Sequence, residues 1–472
     1  MREVAVRKPI GYNEHGFFIH HALGGVATDR PIHSMLKKTS GRLRLHMPGH
    51  GGCLPFGDDA RYDTTELPVT DDLYAPGAAI TEAETRLARS AGTAASVLTG
   101  GGGTVCAHVI MMVYLKPGDT VILPRNAHHS LTSACILGGF YPVYTPCLMD
   151  GGGRMMVTEQ AFIETVNAHP EAKAVCVTRP DYYGGVMPMN ALVPAARRHG
   201  MKVLADEAHG AHFNWLPGIG NAGSWGADAF FQSFHKTLPA LTGAAAMHFA
   251  RKEDAVKARE VMRLLYTSSP SFPILKSVDD ARAYMDARGE DNIKKLLTKT
   301  DAFMLKAAAL GYRDERLEDK TRLVLSAGMG GNVLAACLSG LGVDVEAYDH
   351  TRIICILPII NPTRVLRAFY NVLRKIPAKT APASREAFTP LPLPVVRMGV
   401  REAYFSPYEC VPVTEAVGRI AARSFGLYPP GVPLCVPGEE ISQDACVCLQ
   451  KGEAAVFGTQ RDRIACVKES YA

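Results

Sequence analysis

The chain has 472 residues, 47% hydrophobic and 21% charged, with a formal net charge of +5. That is enough for two or three domains around a large core. The slight basic excess lacks a long Lys/Arg run, which argues against nucleic-acid or membrane-surface partners, and no run of ~18 apolar residues predicts a membrane span.

The 12 cysteines, from Cys53 to Cys466, show no CxxC or zinc spacing. They read as buried free thiols of a reducing cytoplasm. The charged N-terminus lacks the apolar core of a secretory signal.

Residues 1–30 look irregular, and Pro31 to Lys38 predicts a short helix with Pro in its first turn. Arg42-Leu-Arg-Leu-His-Met-Pro-Gly-His-Gly-Gly then places His46 and His50 in a turn. Tyr62 to Gly77 carries the breakers of a long loop. Ile80 to Ala91 is amphipathic, with Ala83, Leu87 and Ala91 on one face. A strand from Ser96 enters Gly100-Gly101-Gly102-Gly103, and an apolar helix follows. Amides of a glycine turn at a helix N-terminus bind phosphate, which makes Gly102, Gly103 and Thr104 candidates. Val121 to Leu123 is a strand, followed by Pro124-Arg-Asn-Ala-His-His-Ser. Helices over Leu131–Leu137 and Thr158–Ala168 flank a strand at Tyr141–Tyr144 and a turn at Asp150-Gly-Gly-Gly-Arg. Ala174 to Thr178 is a buried strand, Arg179-Pro-Asp-Tyr-Tyr-Gly-Gly-Val follows, and Met189 to His199 is a helix.

Met201-Lys-Val-Leu-Ala then ends in Asp206, the carboxyl end of a parallel strand, where such folds build sites. A second apolar run, Ala229-Phe-Phe-Gln, ends in Ser233-Phe-His-Lys236. A lone lysine after a strand would be a surface residue. The spacing to Asp206 and the Ser-x-His-Lys context reverse that reading. The set suits pyridoxal phosphate. Lys236 forms the Schiff base, Asp206 keeps the pyridine nitrogen protonated, and Ser233 with His235 holds the phosphate. His209 is a nearby histidine for proton transfer. The alternation of strand and helix from about residue 92 to 250 predicts a mostly parallel sheet covered on both faces.

Further on, Thr242 to His248 reads as a return strand, Arg251 to Leu265 as a charged helix, and Asp279 to Lys306 as largely helical. From about residue 310 the pattern becomes that of a smaller α+β unit, with strands at Thr321–Ser326 and Arg352–Leu357 and helices at Gly331–Gly340 and Asn361–Arg374. Pro377 to Pro394 reads as a Pro-rich linker. The expected division is an N-terminal segment over 1–60, a large cofactor-binding domain over 61–300, a small α+β domain over 301–376 and a C-terminal domain over 377–472.

Asp-Glu-Ala-His-Gly-Ala-His-Phe from Asp206, with Gln-Ser-x-His-Lys-Thr-Leu from Gln232, resembles the ornithine/lysine/arginine decarboxylase family, and the likeness covers most of the chain. It implies an α/β fold, the type I pyridoxal-phosphate transferase fold, with a smaller α+β domain. It implies that His128 stacks on the pyridine ring, that His46 and His50 stand near the site entrance, and that Thr267 and Ser268 reach a neighbouring subunit's phosphate in a homodimer or higher homo-oligomer. Departures are Gly51 for a family lysine, His129 where Lys is common, Gly100–Gly103 where the family has "NGST", and Asp181 for Thr. Asp181 either tunes substrate choice or caps a turn. The resemblance implies a decarboxylase acting on arginine in polyamine synthesis, with lysine or ornithine next. Another pyridoxal-phosphate enzyme, such as an aminotransferase or lyase, and a non-catalytic relative stay open. No metal is expected.

Overall fold

The computed structural model describes residues 30–40, 60–378, 388–428, 432–450, 455–460 and 462–471. His46, His50 and Gly51 lie outside these.

The short helix is α1 (Pro31–Thr39), with Pro31 filling a position whose N–H a helix leaves unbonded. The amphipathic helix is α2 (Ala79–Ala91), which buries Ile80, Ala83, Leu87 and Ala91. Asp71 caps it by accepting the N–H of Ala78 and Ile80. Then come β1 (Ala95–Thr99), α3 (Gly102–Tyr114), β2 (Thr120–Pro124), α4 (His129–Gly138) and β3 (Tyr141–Thr145). A hairpin of β4 (Cys147–Met149) and β5 (Met155–Met156) follows. Next are α5 (Glu159–Ala168), capped by the Thr158 hydroxyl as expected, β6 (Ala174–Thr178) and α6 (Leu192–Arg198), shorter than its sequence pattern.

β7 (Lys202–Asp206), β8 (Ala229–Ser233), the one-turn helix α7 (Phe234–Thr237) and β9 (Ala245–Phe249) complete the main sheet. Its order is β1-β9-β8-β7-β6-β2-β3, and β9 alone runs against the rest. The central strands are buried on both faces, as their unbroken Val/Ile/Leu/Phe/Ala runs require.

α8 (Lys252–Leu265) leads to α9 (Phe272–Ala308), a 37-residue helix. It starts seven residues before the sequence pattern suggested, because Pro273 in its first turn starts the helix there instead of breaking it. A second, antiparallel sheet orders β10 (Arg313–Asp314), β11 (Leu323–Ser326), β13 (Arg352–Cys355) and β12 (Ala347–Tyr348), and carries α10 (Gly331–Gly340) and α11 (Pro362–Leu373). Part of the presumed linker is structured: β14 (Thr389–Leu391) pairs with β4. Beyond it lie two three-stranded sheets.

None of the eleven described cysteines forms a disulfide, and seven are buried. Among the described residues no helix is long and apolar enough to cross a membrane.

Candidate active site

The carboxyl ends of β6, β7 and β8, the turn before α3 and the small domain enclose a cavity of about 530 Å³. Every described residue proposed from the sequence lines it except Thr267 and Ser268, which are exposed on this chain. The Thr267 carbonyl accepts from Tyr74 Oη at 2.6 Å.

Asp206, the last residue of β7, is 4% exposed and lies between Thr178 of β6 and Phe231 of β8. Among the described residues its carboxylate accepts one hydrogen bond, from the Ala208 N–H at 3.0 Å. Burial raises its pKa, and the nearby Lys236 opposes that. A buried carboxylate so thinly bonded requires a cationic donor. The neighbouring acid, Glu207, turns away. It is bonded to Arg179, Gln232 and the Ala222 N–H.

Lys236 stands on α7, directly after β8, with Nζ 3.2 Å from His209 Nε2. Burial lowers its pKa while Asp206 and Glu346 raise it. Burial, then Lys236 and Arg322, hold His209 well below the usual histidine range. His209 is therefore neutral, and its Nε2 accepts from Lys236. Arg322, preceding β11, donates to the carbonyls of His209 and Tyr182 and pairs with Asp319. His128 caps α4, its Nδ1 accepting the Ser130 N–H at 3.2 Å, which puts the ring proton on Nε2. Burial and then His129 lower its pKa to about 3, so it presents an uncharged flat ring.

At the other end Gly102 needs a correction. Its N–H donates to the Gly243 carbonyl at 2.9 Å, so it shapes the turn, at φ 67°, instead of offering an amide. Gly103 and Thr104 fall in the first turn of α3, where N–H groups have no intrahelical acceptor. Ser233 Oγ is buried without a partner among the described residues. A Cβ on Gly103 would come within 2.7 Å of it. His235 Nδ1 lies 3.1 Å from the Ala244 carbonyl, which leaves Nε2 for a ligand. An orphaned hydroxyl, free helix-start amides and a buried carboxylate facing a lysine together fit pyridoxal phosphate.

Apart from Asp181, the rim escaped the sequence reading. Asp181 Oδ1 accepts the N–H of Tyr183 and Gly185, and Oδ2 accepts from Arg154 at 2.7 Å. Asp181 thus caps a turn, and a guanidinium answers its charge. Asp349 is bonded to Arg352 in the same way. Glu346 is exposed and lines the cavity, and its side chain accepts only from Tyr182 Oη, at 2.6 Å, among the described residues. Nothing in the sequence flagged Glu346, because it lies about 110 residues beyond Lys236, just before a strand of a different sheet.

The model of the family described as "Orn/Lys/Arg decarboxylase, major domain" matches residues 53–310, and that of its C-terminal domain matches 383–450. The chain is 30% identical to the uncharacterized protein YaaO of Bacillus subtilis, over 86% of this chain and 90% of that one. It is 26% identical to the arginine decarboxylase of the same organism, over 88% and 92%. The solved lysine decarboxylase LdcF of Francisella novicida shares the fold, with TM-score 0.78 and 16% identity over 96% of this chain and 83% of that one. The chain belongs to the Orn/Lys/Arg decarboxylase family, and is a pyridoxal-phosphate-dependent decarboxylase of a basic amino acid.

Proposed function

We propose that the enzyme decarboxylates arginine to agmatine, in the cytoplasm and in polyamine synthesis, with lysine and ornithine as the next candidates. The observation that carries the reading is Glu346, which has no cationic partner among the described residues. Of the acids lining the cavity, Asp206 lies at the floor, and Asp181 and Asp349 are each bonded to arginine. Glu346 is left to receive a cation at the far end of the substrate. Relatives of similar length named arginine decarboxylase favour arginine.

When bound, pyridoxal phosphate supplies an aldehyde that condenses with an amine and a protonated ring that takes up the electron pair as CO2 departs. Lys236 Nζ would hold the cofactor through its aldehyde. Asp206 holds the proton on the pyridine nitrogen. His128 covers one ring face with an uncharged imidazole, which fixes tilt by dispersion contact. His235, Ser233, Gly103 and Thr104 would grip the phosphate, the Ser233 hydroxyl and the N–H groups of Gly103 and Thr104 as its donors. His209, held neutral, orients the Lys236 amine through Nε2, so that Lys236 would deliver a proton to Cα after CO2 leaves. Thr267 of a partner subunit completes the phosphate site in a homodimer.

Mass spectrometry of the cofactor-loaded enzyme, incubated separately with arginine, lysine and ornithine, is the test. Agmatine as the dominant amine is expected. Cadaverine or putrescine as the main product would reassign the substrate, and no amine at all would overturn the reading.

A further inference from the structure

Two tight hairpins from different sheets meet tip to tip at the rim. One is β4–β5, whose tip runs from Asp150 to Arg154. The other is β12–β13, whose tip runs from Asp349 to Arg352. Asp349 Oδ1 accepts the N–H of Thr351 and Arg352 at 2.8 and 2.7 Å, which fixes the second tip. The Arg352 fork reaches across to Asp150, Nη1 to Oδ2 at 2.8 Å and Nη2 to Oδ1 at 2.9 Å, while its Nε donates to Asp349. The His350 N–H donates to the Gly152 carbonyl at 3.2 Å. A Cβ on Gly152 would stand 2.3 Å from the Arg352 guanidinium, so the glycine permits this approach. Both charged side chains are only about a tenth exposed, at 12% and 11%. Neither residue lines the cavity, although Gly152, Gly153, Asp349 and His350 beside them do.

Glu346 rides on the second hairpin. Its N–H donates to the Ile354 carbonyl at 3.0 Å, beside the Ala347–Ile354 pairing of β12 with β13. Whatever fixes the tip therefore fixes Glu346 relative to Lys236, which stands on the main sheet.

We infer that Asp150 and Arg352 are positioning residues for substrate choice. Their bidentate pair sets the separation between Glu346 and Lys236, and so the length of cationic side chain that the site accepts. This rests on the assignment of Glu346 to the substrate's distal charge. A charge-assisted fork is directional, and a held carboxylate meets its cation without the entropy loss of ordering a loose hairpin.

The test is a double-mutant cycle on the cofactor-loaded enzyme. Asp150→Asn is expected to raise KM for the preferred amino acid about tenfold, with kcat changed less than about threefold, and to compress the selectivity among arginine, lysine and ornithine. In a Glu346→Gln background, Asp150→Asn is expected to move KM by less than about twofold, because the group being positioned is already neutral. Arg352→Lys keeps the charge but loses the fork, and stands in if Asp150→Asn does not fold. A KM effect of equal size in both backgrounds overturns the positioning role. So does no effect from either latch variant while Glu346→Gln raises KM, and the Glu346 assignment then survives. An unchanged KM in Glu346→Gln alone overturns that assignment and the latch with it.

Discussion

The floor and the rim of the cavity handle charge in opposite ways. At the floor, Asp206 and Ser233 are buried, Lys236 and His209 are half-buried, and all four are only sparsely bonded to the protein. At the rim, Asp150, Asp181 and Asp349 are matched by Arg154 and Arg352 through short, directional bonds. An unsatisfied buried group costs free energy and persists where a ligand satisfies it. A closed ion-pair lattice asks for nothing and serves to hold shape. The floor therefore has the character of a ligand site, and among the described residues the rim holds one cavity-lining carboxylate without a cationic partner, Glu346.

That contrast predicts different kinetic signatures. Lys236→Ala removes both the amine that holds the cofactor and the proton donor to Cα, so turnover is expected to fall on the order of 10⁴-fold or more, with loss of the visible band of lysine-bound cofactor. Retained turnover refutes the assignment. Asp206→Ala should leave some cofactor bound and lower kcat about 10²–10³-fold, the range for losing one preorganised electrostatic partner. An unchanged kcat would mean that something other than Asp206 answers the ring nitrogen. Rim variants are expected to act on KM.

The floor also depends on a distant region. Arg125 leads from β2 into the loop that carries His128, and its guanidinium is bonded to both oxygens of Glu439, at 2.7 and 2.9 Å, and to the Leu434 carbonyl. Both side chains are nearly inaccessible, at 1% and 3%. Glu439→Ala leaves Arg125 charged and unpaired, which costs about 3–5 kcal/mol of stability. Denaturant unfolding measures it. A loss below about 1 kcal/mol, the scale of a surface pair, would show that water relieves Arg125.

The floor was legible because it is built from strand ends. Burial of both sheet faces forces apolar runs, and polar residues that end those runs, Asp206 and Ser233, stand out in a one-dimensional string. The parallel sheet and the small domain followed from the same periodicity. The rim was not legible because its pairs join segments far apart in the chain. Asp150 meets Arg352 across 202 positions, and neither the turn that holds Asp150 nor the strand that begins at Arg352 points to the other. Asp181 showed as an extra acid, but its neutralisation by Arg154 depends on where a hairpin folds. Gly102 was read as a phosphate donor because a glycine run does not reveal which amides the protein uses itself. Thr389–Leu391 reads as linker in the sequence because its strand partner, Cys147–Met149, lies some 240 residues away.

Behind the floor, His248 gives the last and smallest prediction. It is 0% exposed on β9, with Nδ1 2.8 Å from Ser96 Oγ and its ring stacked on Phe230 at 4.6 Å. Burial lowers its pKa to about 3. An unfolded histidine titrates near ~6.5, so the unfolded state takes up a proton that the folded state refuses. The stabilising difference is whole above ~6.5 and is lost as pH falls toward the folded value, reaching about 2 kcal/mol of lost stability by about pH 5. His248→Gln keeps a polar partner for Ser96 and removes the titration. Between about pH 7 and 5 the native chain should therefore lose about 2 kcal/mol more stability than this variant, read from denaturant midpoints at each pH. Parallel pH profiles would mean that His248 takes up its proton inside the folded protein, and that the sheet core there admits water.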